Sequence, residues 1–168
     1  VMKPEWLKID LTSKNTSGET AGILSRHRMN TICTSGLCPN RTECWAARTA
    51  TLMIGGEICT RKCKFCNTLS GKPHALDPNE PQHVAETIKE LNLRYAVITS
   101  VDRDDLPDYG ADHWVKTVKA IQQTCPDTKI ELLIPDFMGK KELLQKVLAT
   151  KPHVCGHNME TVRSLTPT

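Results

Sequence analysis

From Ala50 onward, short apolar runs alternate with segments whose apolar residues recur at helical spacing. Thr51-Leu52-Met53-Ile54 reads as a strand. Asn79 then stands as an N-cap, with Pro81 in the first turn and Val84, Ile88 and Leu91 on one helical face. Tyr95 to Thr99 reads as the next strand, a helix from Ala111 carries Val115, Val118 and Ile121, and Lys129 to Ile134 is a third strand. A helix over Lys140 to Ala149, with Leu143, Leu144, Val147 and Leu148, leads to a fourth strand at His153 to Cys155. Strands this apolar, each followed by a helix, predict an α/β fold with a parallel sheet covered by helices. Right-handed crossovers curve such a sheet toward a barrel.

Residues 1–49 have a different character. A polar Ser/Thr/Asn stretch precedes a helix expected over Glu19 to Arg28, and Cys33 to Cys44 holds the loop formers Gly36, Pro39 and Asn40 before a helical turn near Thr42. The chain therefore divides into an N-terminal extension, 1–49, and a barrel-like unit, 50–168, with Trp6 and Trp45 expected to fasten one to the other. A full (β/α)8 barrel takes about 250 residues, whereas the pattern supplies about four strands. With Val rather than Met at position 1, this predicts a piece of a longer protein cut at both ends.

Composition adds little until the cysteines are counted. Of 168 residues, 39% are hydrophobic and 24% charged, as expected of a globular domain. The net charge of +3, without any run of basic residues, predicts no nucleic-acid partner. No apolar stretch approaches the roughly 20 residues of a membrane span, and residues 1–10 lack the plan of a secretory signal, so a cytoplasmic protein without a membrane partner is expected. Six of the eight cysteines, however, fall between Cys33 and Cys66. An α/β domain needs no disulfide staples, so metal ligation is the expected use of that cluster.

Cys59, Cys63 and Cys66 form C-x3-C-x2-C just after the first strand and its Gly55-Gly56 turn. Sites in parallel α/β sheets lie at the C-terminal ends of strands, so the position suits a cofactor loop. Three thiolates hold three irons of a [4Fe–4S] cube and leave the fourth open, whereas a structural zinc site normally closes with four ligands. Cys33, Cys38 and Cys44 make a second trio, C-x4-C-x5-C. A non-catalytic zinc-binding module is the other reading of these cysteines.

The first motif, with Phe65 just before its last cysteine, resembles that of the radical S-adenosylmethionine (SAM) superfamily. The resemblance implies a partial (β/α) barrel of the radical SAM type. It also implies SAM held at the open iron by its amino and carboxylate groups, whose reductive cleavage gives a 5′-deoxyadenosyl radical that abstracts hydrogen from unactivated C–H bonds. The two trios together resemble the lipoyl synthase family, as do Lys3-Pro4-Glu5-Trp6-Leu7, Cys38-Pro39-Asn40, Glu43-Cys44-Trp45, Ile98 to Leu106, Pro135-Asp136-Phe137 and His157 to Val162, which reach across nearly the whole chain. That likeness implies two [4Fe–4S] clusters, one on Cys59, Cys63 and Cys66 with SAM, and an auxiliary one on Cys33, Cys38 and Cys44 that supplies sulfur. The reaction implied is insertion of two sulfur atoms at C6 and C8 of an octanoyl group on a lysine of a lipoyl carrier domain, with an electron donor such as a flavodoxin or ferredoxin. Another radical SAM enzyme with an auxiliary cluster is the alternative; the run Val101-Asp102-Arg103-Asp104-Asp105-Leu106 argues for the former. The family's serine ligand in an Arg-Ser-Ser-Tyr segment has no counterpart here, Arg163-Ser164-Leu165 not being a substitute, and Asn67 and Cys155-Gly156 depart from the family pattern.

Polar residues at strand ends complete the candidate site. Ser100 and Asp102 are expected SAM contacts in a loop that also carries Arg103, Asp104 and Asp105, and Phe65 is expected against the cofactor's base. Asn158 and Glu160, after the fourth strand, could hydrogen-bond the ribose or methionyl part of SAM, with Asp136 a weaker candidate. A favoured acid near a helix N-terminus would explain Glu160 equally well. His157, Cys125 and Cys155 are assigned to structure and packing.

Overall fold

The computed structural model describes residues 14–165, with side chains from residue 17. Helix α1 (Lys14–Arg26) is followed by the two-residue strand β1 (Asn30–Thr31) and the short helices α2 (Ile32–Ser35) and α3 (Arg41–Ala46). Next come β2 (Thr51–Ile54), β3 (Ile58–Cys59), β4 (Leu69–Ser70), α4 (Glu80–Leu91) and β5 (Tyr95–Ser100). The chain continues through α5 (Ala111–Thr124), β6 (Lys129–Leu133), α6 (Lys141–Leu148) and β7 (Val154–Gly156). The main sheet runs β1-β2-β5-β6-β7. Its last four strands are parallel, as the alternating pattern predicts, and β1 is antiparallel to β2. Among the described residues the sheet does not close; it ends at β1 on one side and β7 on the other.

Register explains where the core lies. Leu52, Ile98 and Leu132 stand side by side on neighbouring strands and are fully buried. Over them pack Val84 and Ile88 of α4 and Trp114, Val118 and Ile121 of α5. The opposite face carries Met53, Thr99, Leu133 and Gly156 in one row. The apolar runs predict near-continuous burial of the strands, yet in β5 and β6 burial alternates, because helices cover only one face. Met53 stays buried on the other face, with Ser35 of α2 bonded to its sulfur at 3.7 Å.

The extension departs from its expected form. Its first helix spans 14–26 rather than 19–28, and Arg28 takes a positive φ of 53° that ends it. Within the stretch read as a Gly/Pro loop, Ile32–Ser35 folds into α2, which Thr31 Oγ1 caps by accepting from the Thr34 amide at 3.2 Å, while the helical turn expected near Thr42 is present as α3. Asn79 does occupy the cap position of α4 but makes no side-chain capping bond; Asp77 Oδ1 instead accepts the Asn79 amide at 2.8 Å. Trp45 packs against the main core, and its carbonyl accepts from Thr20 Oγ1 at 2.8 Å; Trp6 lies outside the described residues. His27 Nε2 meets Glu90 Oε2 at 2.7 Å, tying α1 to α4.

Cys125 sits half-buried at the core's edge with its thiol on the Ala85 carbonyl at 3.6 Å, in keeping with a packing role. Cys155 does not fit that role. It is exposed, because β7 is an edge strand and Cys155, opposite Leu132, faces the helix side rather than the mouth. No described helix is long and apolar enough to cross a membrane.

Candidate functional site

The C-terminal ends of the parallel strands open onto a cavity of about 300 Å³. Cys59, Cys63, Phe65 and Cys66 border it on one side, and Ser100, Asp102, Asp136, Asn158 and Glu160 on the others. All eight cysteines are free thiols. The cysteine loop leaves β2 through Gly55-Gly56, and β3 and β4 bring its two ends together, with the Gly71 amide on the Cys59 carbonyl at 3.0 Å. Its middle is fastened to the next strand end, where Thr60 amide and hydroxyl both donate to the Asp102 carbonyl, at 3.1 and 3.0 Å.

Arg61, inside the motif, is the main electrostatic feature of the mouth. Its guanidinium makes two bonds to Asp104, at 2.8 and 2.9 Å, and two to Asp136, at 2.8 and 2.7 Å, with Asp102 at 3.6 Å. These bonds drive the Asp136 carboxyl down to about 2 and lower that of Asp104. Asp102 moves the other way, because burial outweighs the attraction of Arg61. Burial likewise raises the Cys59 thiol, against the amides of Arg61 and Asp102, each of which donates to its sulfur at 3.4 Å. Such donors favour thiolate, the form that ligates metal.

The expected contacts are not all placed alike. Phe65 is 65% exposed and borders the cavity. Ser100 also borders it, but it pairs with Ile54 in register and shares the helix-facing side of β5 with Ile98; its Oγ is buried without a hydrogen-bond partner. Thr99 occupies the mouth side instead. Asn158 and Glu160 are exposed at the rim. Arg103 and Asp105 are not at the mouth: Arg103 is 4% exposed and paired with Asp105 at 2.8 Å. His157 lines the cavity with Nδ1 on the Ile134 carbonyl at 2.9 Å, the bond of a structural histidine.

Cys33, Cys38 and Cys44 lie off the cavity, in α2, the turn after it and α3. Cys33 is buried and the other two are partly so. Burial first, then the proximity of Cys33 and Cys38, raises the Cys44 thiol. The two trios are joined through Asn67, whose side-chain amide donates to the Ser35 carbonyl at 2.8 Å. Sequence reasoning misses the parts that Arg61 and Asn67 play, although three acidic residues after the strands call for a cation.

Among the described residues no three Cys, His, Asp or Glu side chains converge closely enough to share one metal ion. Comparison decides the family: residues 53–166 match the radical SAM superfamily. The chain belongs to the radical SAM superfamily.

Individual relatives narrow the likeness. The chain is 57% identical over 165 residues to a lipoyl synthase of Parabacteroides distasonis, with 98% of this chain and 59% of the relative covered. It is 58% identical over 167 residues to that of Phocaeicola vulgatus, covering 99% and 59%, and 52% identical over 165 residues to that of Treponema denticola, covering 98% and 57%. The chain thus spans under two thirds of the length of these curated relatives. Radical SAM membership implies a [4Fe–4S] cluster and SAM. Three free thiols on one loop, sulfur-directed backbone amides and a polar-rimmed cavity at the strand ends suit that pair.

Proposed function

We propose that the protein acts as a lipoyl synthase, inserting sulfur at C6 and C8 of an octanoyl group carried on a lysine of a lipoyl carrier domain. The observation that carries this reading is the presence of both cysteine trios in a chain 57% identical to a protein named lipoyl synthase. In this reading residues 1–49 form the extension bearing the auxiliary trio, and residues 50–168 form part of the radical SAM barrel. Cys59, Cys63 and Cys66 hold one [4Fe–4S] cluster and Cys33, Cys38 and Cys44 a second.

When bound, the reduced cluster and SAM supply the radical chemistry that opens C–H bonds. The chain's own part is to bind and orient. Asn158 and Glu160 offer an amide and a carboxylate to the polar end of SAM, and Asp102 an acceptor at the next strand end. The exposed ring of Phe65 offers a stacking face to the base. Ser100, with its hydroxyl turned toward the helices, acts on the site through the backbone of its strand end. Arg61 holds the acids of two strand ends to the cysteine loop, which fixes the mouth before a ligand arrives. A flavodoxin or ferredoxin as electron donor, a cytoplasmic setting and the absence of nucleic-acid or membrane partners complete the reading.

The test is anaerobic incubation of the full-length protein with SAM, a reductant and an octanoylated carrier domain, followed by mass spectrometry of the carrier. Gain of two sulfur atoms is expected. An iron-loaded protein that cleaves SAM but leaves the carrier unchanged would point to another radical SAM reaction, and colourless protein with stoichiometric zinc to a binding module.

A further inference from the structure

The turn between β2 and the cysteine loop is surrounded by buried charges that take no part in the cavity. Gly55 and Gly56 both adopt positive φ, 86° and 95°, and a side chain at Gly55 would meet Val101 at 3.3 Å. Their amides converge on one carboxylate. Gly55 donates to Glu80 Oε2 at 2.8 Å and Gly56 to Oε1 at 3.3 Å, while His113 Nε2 closes on Oε2 from α5. The Gly55 carbonyl accepts from Arg103 Nη1 at 3.0 Å, and the same guanidinium reaches Asp105 and the His74 carbonyl. Glu80, His113 and Arg103 are 9%, 6% and 4% exposed, and none of them borders the mouth.

Adjacent amides in a glycine turn after a strand are the kind of site that captures an external anion. Here the fold fills it from within, using the first residue of α4. A buried carboxylate is tolerated only where its oxygens are hydrogen-bonded, and both of these are. The arrangement gives no advantage over an apolar contact in bulk packing. What it does give is a single path for the chain, with both amides and one carbonyl of a flexible dipeptide satisfied, four residues before Cys59.

We propose that Glu80, oriented by His113, and Arg103 are positioning residues for the first cysteine trio, fixing the Gly55-Gly56 turn and with it the place where Cys59 leaves the sheet. The proposal rests on the reading that Cys59, Cys63 and Cys66 hold a cluster.

The experiment uses the full-length protein with Cys33, Cys38 and Cys44 changed to Ala, so that iron reports on the first trio alone, and adds Glu80→Gln or Glu80→Ala. In the metal-free proteins, amide hydrogen exchange over residues 54–59 should quicken by about tenfold or more in Glu80→Ala, the scale expected for losing charged hydrogen bonds, and by less in Glu80→Gln, which keeps an acceptor. Peptides from β6 and α6, which take no part in these bonds to Glu80, should be unchanged. After anaerobic reconstitution the parent should hold about four irons; Glu80→Gln should hold less than half of that and show an altered response of its reduced-cluster resonance to SAM. Unchanged exchange at the turn, or unchanged iron and resonance despite faster exchange, overturns the proposal. If Glu80→Ala fails to fold, Glu80→Gln decides between the same two outcomes. A parent that binds no iron would sink the reading of the trio instead, and exchange alone would then judge the clamp on the turn.

Discussion

Three carboxylates, Asp102, Asp104 and Asp136, leave two successive strand ends and meet one guanidinium, Arg61, which sits two residues after Cys59. Because folding lowers the Asp136 carboxyl to about 2 from its ordinary 3.8, its contribution to stability is full above the ordinary value and drains away as pH falls from about 4 toward about 2. Asp104 behaves alike. Asp102 has the opposite sign, since burial raises its carboxyl and protonation then favours the folded chain. Asp136→Asn should therefore lower stability at neutral pH while flattening its loss across that acid window, as acid titration followed by circular dichroism would show; an unaltered acid profile contradicts the assignment. Among the thiols, Cys63 is exposed at the cavity and, by the proposed function, ligates one iron. Cys63→Ala in the full-length protein should cost about four irons per chain and abolish SAM cleavage, read by iron analysis and by chromatography of the nucleoside product. Retention of full iron would remove Cys63 from the ligand set.

At the scale of elements, Asn67 is the link between the two cysteine segments. Its single bond to the Ser35 carbonyl is of the class worth about 0.5–1.5 kcal/mol. Asn67→Ala should accordingly speed amide exchange at Gly36 and Cys38, whose N–H groups close the α2 turn. Asn67→Asp should speed it further by setting a carboxylate against a carbonyl oxygen. Equal exchange in all three proteins would show that the bond contributes nothing. The four parallel strands and their helices were legible because each carries an apolar run or a helical stripe long enough to show its period, as β5 and α5 do. β1, β3 and β4 have two residues each and no period to read. The cysteines could be picked out by spacing alone, but Glu80 and His113 could not. Glu80 finds its partners 25 residues before it and 33 after it, and looks in the sequence like an ordinary first-turn acid. Arg103 was legible only as one charge in a charged loop; its burial goes with partners distant in sequence, the Gly55 and His74 carbonyls, which receive its guanidinium together with Asp105.

For the molecule as a whole, the sheet's two edges differ. β1 is two residues long with Thr31 buried, while β7 presents Val154 at 42% exposure next to an apolar groove lined by Phe137, Leu144 and Leu148. An open apolar edge invites pairing with another chain. The 168-residue chain by itself should therefore show a light-scattering mass that rises with concentration, and Val154→Lys should bring it back toward the monomer; a concentration-independent monomer would show that the edge is already protected. The other edge bears on the proposed chemistry. β1 pairs with β2 through Asn30 with Met53 and Thr31 with Leu52, and it hands directly to Cys33 as β2 hands to the turn before Cys59. Both trios thus hang from one ruler, whose only increments are whole residues of about 3.3 Å. A slip would also reverse every side chain from one face to the other, so the gap between the two cysteine trios cannot drift by small degrees; it can be adjusted only in the loops beyond that pair of strands.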